Sequence, residues 1–312
     1  MTDDNGKNPH DFHKTSRACN LLVEQPGYEA TVQGYFADSG PIYDKAGGNP
    51  FWRLSRALIF DFLGTHAVDR LIGQGANYLD AGGGTGLLAF HVLKKDHSAK
   101  VTIYDLSPGM LEQAEIKRAE LGLEGRLTLI EGNLTNMHDI ADGTYDVVMS
   151  ANNVLGFIYD SKAAMREMAR VAKSGAPIVM TAVPNAFHGM YFNVSNNRYE
   201  VAVRIRDEGI GTFTDVMPDI HFFTPSGLVE LYLTAGITPI ICTGSPITTY
   251  PGAIDTDARL VSDRAQGLAD SDIWQRVYRL EAHYASMGVI PGSYVTEHAS
   301  RGNALLIAGQ KP

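Results

Sequence analysis

A chain of 312 residues, 44% hydrophobic and 20% charged, holds enough apolar side chains for one large core, while its longest apolar runs, such as 304–308, are far too short for a membrane helix. Two cysteines, Cys19 and Cys242, exclude a disulfide framework or a cysteine-rich zinc site and suit a reducing cytoplasm. A net charge of −9, with no basic stripe interleaved with aromatics, argues against nucleic acid as a partner.

Residues 1–17 are polar and lack the apolar centre of a signal peptide, so they read as a tail. Residues 25–65 are aromatic-rich and precede the first strand. From 77 onward, short β-branched runs alternate with amphipathic ones, the pattern of βα units around a parallel sheet. Strands are predicted at 77–80, 100–104, 126–131, 145–150, 177–183, 237–243 and 304–309. Helices are predicted at 87–95, 108–121, 161–173 and 225–235. Ser107-Pro108 supplies an N-cap followed by proline at the first helical position, and Lys173-Ser174-Gly175 a basic last turn with a glycine stop. Three stretches fall outside the repeat: 25–65, 184–221 and 244–300. Their length suits covers or binding loops.

The main chemical signal is Asn77-Tyr-Leu-Asp80-Ala-Gly82-Gly83-Gly84-Thr-Gly86, a strand ending in an acid and a glycine-dense turn that opens a helix. Glycine lets backbone approach a ligand and take angles that a Cβ forbids. The same residues satisfy the dinucleotide pattern G-x-G-x-x-A through Ala89, which would imply a nicotinamide or flavin enzyme. Nineteen residues beyond Gly86, the second strand ends at Asp105, a carboxylate suited to two ribose hydroxyls. The third strand leads into Gly132-Asn133-Leu134, where an amide could meet an adenine edge. The fourth ends in Ala151-Asn152-Asn153, amides where a second phosphate-binding glycine turn would otherwise stand, which favours a ligand without pyrophosphate.

The ordered set Leu79-Asp80-Ala-Gly82-Gly-Gly84-Thr-Gly86, Tyr104-Asp105-Leu-Ser107-Pro-Gly-Met110-Leu, Glu131-Gly132-Asn133, Tyr145-Asp146-Val-Val and Lys173-Ser-Gly175 resembles the class I S-adenosylmethionine-dependent methyltransferases. The resemblance covers about residues 70–185, and His221-Phe-Phe-Thr-Pro-Ser-Gly227-Leu looks like a later helix entry of the same fold. It implies a doubly wound, mostly parallel seven-stranded α/β sheet with helices on both faces and an antiparallel last strand. A helical cover over 1–65 and a methyltransferase domain over 66–312, with insertions near 184–221 and 244–300, complete the expected organisation.

Carried over by position, the resemblance puts Asp80, Gly82, Gly84 and Gly86 around the methionine part of S-adenosylmethionine and Asp105 on the ribose. Leu106 and Met110 would flank the adenine, with Asn133 at its amino edge beside Leu134; many relatives carry aspartate there. Ala151 and Asn152 would lie near the methyl group. Tyr35 and Tyr43-Asp44 resemble a tyrosine-bearing cover segment, and Arg53 and Arg56 supply cations for the cofactor carboxylate.

Methyl transfer from a sulfonium is an in-line displacement that orientation and desolvation promote, and it needs a base only where the acceptor keeps a proton. Candidates for that base are His188, Tyr191 and His221, with Glu281 and His283 in the late insertion. No spaced His, Asp and Glu cluster suggests a metal, so the transfer is expected to be metal-independent. The aromatic and Asn-rich stretch 187–198 and the acidic charge point to a small-molecule acceptor and a cytoplasmic protein, with a homo-oligomer allowed. A nicotinamide oxidoreductase, a non-catalytic S-adenosylmethionine binder and a tRNA-modifying methyltransferase are the alternatives.

Overall fold

A computed structural model describes residues 27–37, 44, 50–215, 217–247, 271–285 and 288–312. Ahead of the sheet lie α1 (Tyr28–Ala37) and α2 (Pro50–Leu63). The alternating unit follows: β1 (Asn77–Ala81), α3 (Leu87–Lys95), β2 (Lys100–Asp105), α4 (Pro108–Glu120), β3 (Leu127–Glu131), β4 (Val147–Ser150), α5 (Ser161–Val171) and β5 (Pro177–Pro184). An insertion carries α6 (Ala186–Ser195), α7 (Tyr199–Glu208), β6 (Ile210–Gly211) and β7 (Ile220–His221). After it come α8 (Pro225–Thr234), β8 (Thr238–Ser245), α9 (Ser271–Ala285) and β9 (Ala304–Gln310).

Local signals set these boundaries. The Ser107 hydroxyl accepts from the Met110 N–H ahead of Pro108, and the Asp160 carboxylate accepts from the Ala163 N–H at 2.9 Å. Thr224 caps α8 through the Gly227 N–H at 3.1 Å, again with proline next in line. Each predicted helix and strand occurs within one or two residues of its expected ends.

The seven strands run in the order β3-β2-β1-β4-β5-β9-β8. The pairs β1/β2, β2/β3, β1/β4 and β4/β5 are parallel, and β9 is antiparallel to both β5 and β8. Strand order reverses between β1 and β4, which leaves a crevice at their carboxyl ends where open α/β sheets bind ligands. One face of the sheet packs on Met165 and Met168 of α5 and Leu228 and Tyr232 of α8. The other packs on Ile59 and Phe62 of α2, Leu88 and Val92 of α3 and Leu111 of α4. The cover helix α2 is therefore part of the main core.

The stretch 184–221 is more regular than its sequence suggests. Helix α6 contains glycine, asparagine, aromatic and β-branched residues, all indifferent helix formers, and tertiary packing holds it. Asn185 anchors its start: Oδ1 accepts the Phe187 N–H at 3.1 Å, and Nδ2 donates to the Gly302 carbonyl at 2.7 Å. Ala186, Ile205, Ile220 and Phe222 then form a small core of their own. The cover helix α1 leans on this insertion, because Tyr28, fully buried, donates its hydroxyl to the Asp219 carbonyl at 2.5 Å while Val32 packs near Ile210. Helix α9 docks on α2, with Arg53 over the Trp274 ring at 5.8 Å and Tyr278 hydrogen-bonded to Asp61.

Candidate functional site

The turn after β1 is built on backbone angles that exclude most side chains. Gly82 and Gly84 lie at φ +68° and +53°, and a Cβ on Gly82 would sit 2.4 Å from the Val154 side chain. Gly83 is held by space instead: its Cβ would meet the Asp80 carboxyl carbon at 2.6 Å. Asp80 is 1% exposed, and its Oδ2 accepts the Ala89 N–H of α3 at 3.0 Å. Burial, opposed by that bond and reinforced by nearby Asp105, pushes its carboxyl up to about 7.

At the tip of β2 the Asp105 carboxylate is clamped from two sides. Oδ1 accepts the Ser107 N–H and Oδ2 the Gly84 N–H, both at 2.8 Å. Burial raises its pKa against these two bonds. At the tip of β4, Asn152 and Asn153 both take left-handed backbone, φ +61° and +65°, a conformation that asparagine tolerates better than other side chains. This turns the chain into Val154–Phe157 across the end of the crevice.

These elements enclose one cavity. Its walls include Asp80, Gly82, Gly83, Gly84, Asp105, Leu106, Met110, Asn133, Leu134, Ala151 and Asn152, so most of the residues singled out from sequence converge on it. Gly86 and Arg53 do not line it. Gly86, at φ +91°, starts α3 where a Cβ would strike the Phe90 ring, and Arg53 sits on Trp274. Tyr43 lies outside the described residues; its neighbour Asp44 accepts from the Thr85 hydroxyl at 2.9 Å in the glycine turn. Tyr35 packs on Phe157 with ring centroids 6.2 Å apart, while the adjacent Phe36 lines the cavity.

Sequence reading missed the contribution of α1 and of the loop after β4: Glu29, Val32, Gln33 and Phe36 on one side, Phe157, Ile158 and Tyr159 on the other. The aromatic richness of 25–65 was the available signal for the first group. Among the described lining residues there are three carboxylates, Glu29, Asp80 and Asp105, and no lysine, arginine or histidine.

The base candidates stand further out. His188 is 5% exposed, with its Nε2 2.8 Å from the Asn303 amide nitrogen, and burial lowers its pKa to about 4. Tyr191 is exposed on the same helix. His221 lies on β7, whose backbone rests against Gly156 in the turn that carries Val154 and Phe157 to the cavity. Glu281 is buried on α9 and accepts the Ile247 N–H, and His283 is exposed against Tyr284.

Residues 79–175 match a sequence family described as a methyltransferase domain. Ajmaline N-methyltransferase from Rauvolfia serpentina is 34% identical over 104 residues, 33% of this chain and 35% of that protein, so the chain spans about a third of that relative's length. The ubiquinone/menaquinone biosynthesis C-methyltransferase UbiE of Dinoroseobacter shibae is 26% identical over 220 residues, 66% of this chain and 81% of that one. Among solved structures, the [4+2]-cyclase SpnF superposes with a TM-score of 0.59 at 15% identity, over 91% of this chain and 96% of that one, a likeness of fold. Residues 79–175 thus carry a methyltransferase domain, and the sheet around it has the strand order and the antiparallel β9 expected of the class I S-adenosylmethionine-dependent methyltransferase superfamily.

Proposed function

We propose that the chain moves the methyl group of S-adenosylmethionine onto a small-molecule acceptor without a metal ion. The observation that carries this reading is the charge of the cavity: three carboxylates and, among the described residues, no cation. Pyrophosphate would be repelled from such walls, which disfavours a dinucleotide. A ligand that brings an ammonium, a sulfonium and ribose hydroxyls has the complementary sign.

The residues present fit that ligand. Asp80 and the glycine turn would hold the amino-acid end, the Asp105 carboxylate the ribose, and Leu106 and Met110 the adenine faces. When bound, S-adenosylmethionine supplies an electrophilic methyl group on sulfur. Phe36, Val154, Phe157 and Ile158 line the same cavity, and apolar walls around the sulfonium would favour dispersal of charge during displacement. Of the base candidates, His221 stands on β7, whose backbone borders Gly156 in the turn after β4, and its imidazole would serve an acceptor that keeps a proton.

The curated relatives support a small molecule over a macromolecule, since their names specify ajmaline N-methylation and ubiquinone or menaquinone C-methylation. The choice among O-, N- and C-methylation belongs to the acceptor assay. Calorimetric titration with S-adenosylhomocysteine and with NAD tests the cofactor; binding of NAD alone would reverse the assignment. An isotopically labelled methyl donor offered with a panel of amines, phenols and quinols, before and after dialysis against a chelator, tests the transfer. Cofactor binding without label transfer to any of them would instead favour a non-transferring role, in line with the cyclase that shares the fold.

A further inference from the structure

The tip of β3 carries asparagine where an acceptor for an adenine amino group is expected, and the structure fixes which way that amide faces. Its Oδ1 accepts from the backbone N–H of Thr135 at 2.9 Å and from the Thr135 hydroxyl at 2.9 Å. A backbone N–H can only donate, so the oxygen must be the atom on that side. The Asn133 Nδ2 points the other way and donates to Glu29 Oε1 of the cover helix at 2.9 Å. Toward a ligand, Asn133 therefore offers an N–H, which cannot pair with another amino group.

Glu29 supplies the missing acceptor. It is half-buried, lines the cavity next to Asn133, and keeps a second carboxylate oxygen beyond the one bonded to the amide. Joined by their own contact, the Glu29 carboxylate and the Asn133 amide set an acceptor oxygen beside a donor N–H, the pattern that matches the two adjacent groups on the edge of adenine, an amino donor beside a ring-nitrogen acceptor. A 6-oxo purine reverses both polarities and would set a carbonyl against the carboxylate. The helix that carries Glu29 is fastened on both sides, by Tyr28 to the Asp219 carbonyl at 2.5 Å and by Gln33 Nε2 to the Leu106 carbonyl at 3.1 Å.

Resting on the cofactor assignment above, we infer that Glu29 of the N-terminal cover, positioned by Asn133, is the acceptor for the adenine amino group and the residue by which this site rejects 6-oxo purines. Recognition of the base is thus split between the sheet and its cover, and adenine binding braces α1.

The test is calorimetric titration of the full chain with S-adenosylhomocysteine and with S-inosylhomocysteine. The wild type is expected to favour the adenine compound about tenfold or more, and Glu29→Ala to bring the two within about twofold, because the wrong polarity is penalised only where a fixed partner is left mismatched. Glu29→Gln, which keeps the size of the side chain and can turn its amide to either base, is expected to narrow the ratio in the same direction and serves if the alanine variant unfolds. Discrimination that survives in a folded Glu29 variant would overturn the inference and leave the cofactor reading standing. A wild type that binds neither compound would overturn both.

Discussion

The Asp105 carboxylate at the end of β2 accepts the N–H of Gly84, in the turn that follows the neighbouring strand β1, at 2.8 Å. One side chain thereby shapes the glycine turn and presents an anion to the cavity. Replacing it with alanine is expected to weaken S-adenosylhomocysteine binding by about 1–3 kcal/mol, roughly 5- to 150-fold in Kd, because hydrogen bonds to a charged group are lost and the turn is released. Titration calorimetry on Asp105→Ala, with thermal unfolding to verify the fold, gives the answer. Unchanged affinity would remove the residue from the site.

Asp80 makes stability and binding depend on pH in opposite ways. Its folded pKa of about 7 lies above the ordinary carboxylate value, so between roughly pH 4 and 7 the folded state binds more protons than the unfolded one. The ligand-free protein accordingly loses stability as pH rises through that window, by on the order of 4 kcal/mol in all. Asp80→Asn retains an acceptor for the Ala89 N–H and is expected to flatten the slope, leaving the variant more stable than wild type at pH 8 and nearly equal to it at pH 4. Cofactor affinity of the wild type should rise over the same interval, since ionised Asp80 is the form that attracts an ammonium. Urea titrations at pH 5, 6 and 8 with identical slopes for both proteins would refute the account.

The parts of this site that could be read in the sequence are those whose chemistry is local to the backbone. The run from Asp80 to Gly84 and the spacing to Asp105 report positive φ angles and strand ends, which neighbouring residues dictate. Glu29 could not be read this way. It reaches Asn133 across 104 positions, and the docking of α1, through Tyr28 on the 184–221 insertion and Gln33 on the Leu106 carbonyl, brings the two together. The amide orientation of Asn133 was equally hidden, because it depends on the turn at Thr135. Helix α6 went unread for another reason: its composition argues against a helix, and the Asn185 anchor and surrounding aromatics supply what propensity does not.

Within the glycine run, the positions differ in kind, and mutation should separate them. Gly83 needs to lack a Cβ only because Asp80 occupies the space, 2.6 Å from where that atom would be. Gly83→Ala is expected to cost about 1–3 kcal/mol in stability, as overpacking does, and to weaken cofactor binding by displacing the Asp80 carboxylate. Combining it with Asp80→Ala should recover part of the stability but none of the affinity. Urea unfolding of the single and double variants is the measurement, and strict additivity of their effects would show that the contact is not what excludes a side chain there.

His188, a candidate base, is buried and does not line the cavity, and its pH dependence separates a structural from a catalytic role. The Asn303 side-chain amide lies 2.8 Å from Nε2, a contact that engages one ring nitrogen of the buried imidazole. Burial holds the folded pKa near 4, below the unfolded value of 6.5. The folded state thus binds fewer protons, and the stability that neutral His188 supports is complete above pH 6.5 and lost as pH falls toward 4, by about 3 kcal/mol in all. His188→Gln should remove that acid-induced loss and leave the shape of the pH–rate profile unchanged, whereas His221→Ala should lower turnover for any acceptor that enters protonated. If His188→Gln instead abolished the acid limb of the rate profile without altering the pH dependence of unfolding, His188 would be restored as the base and its contact with Asn303 would be a device for orienting the ring toward the acceptor.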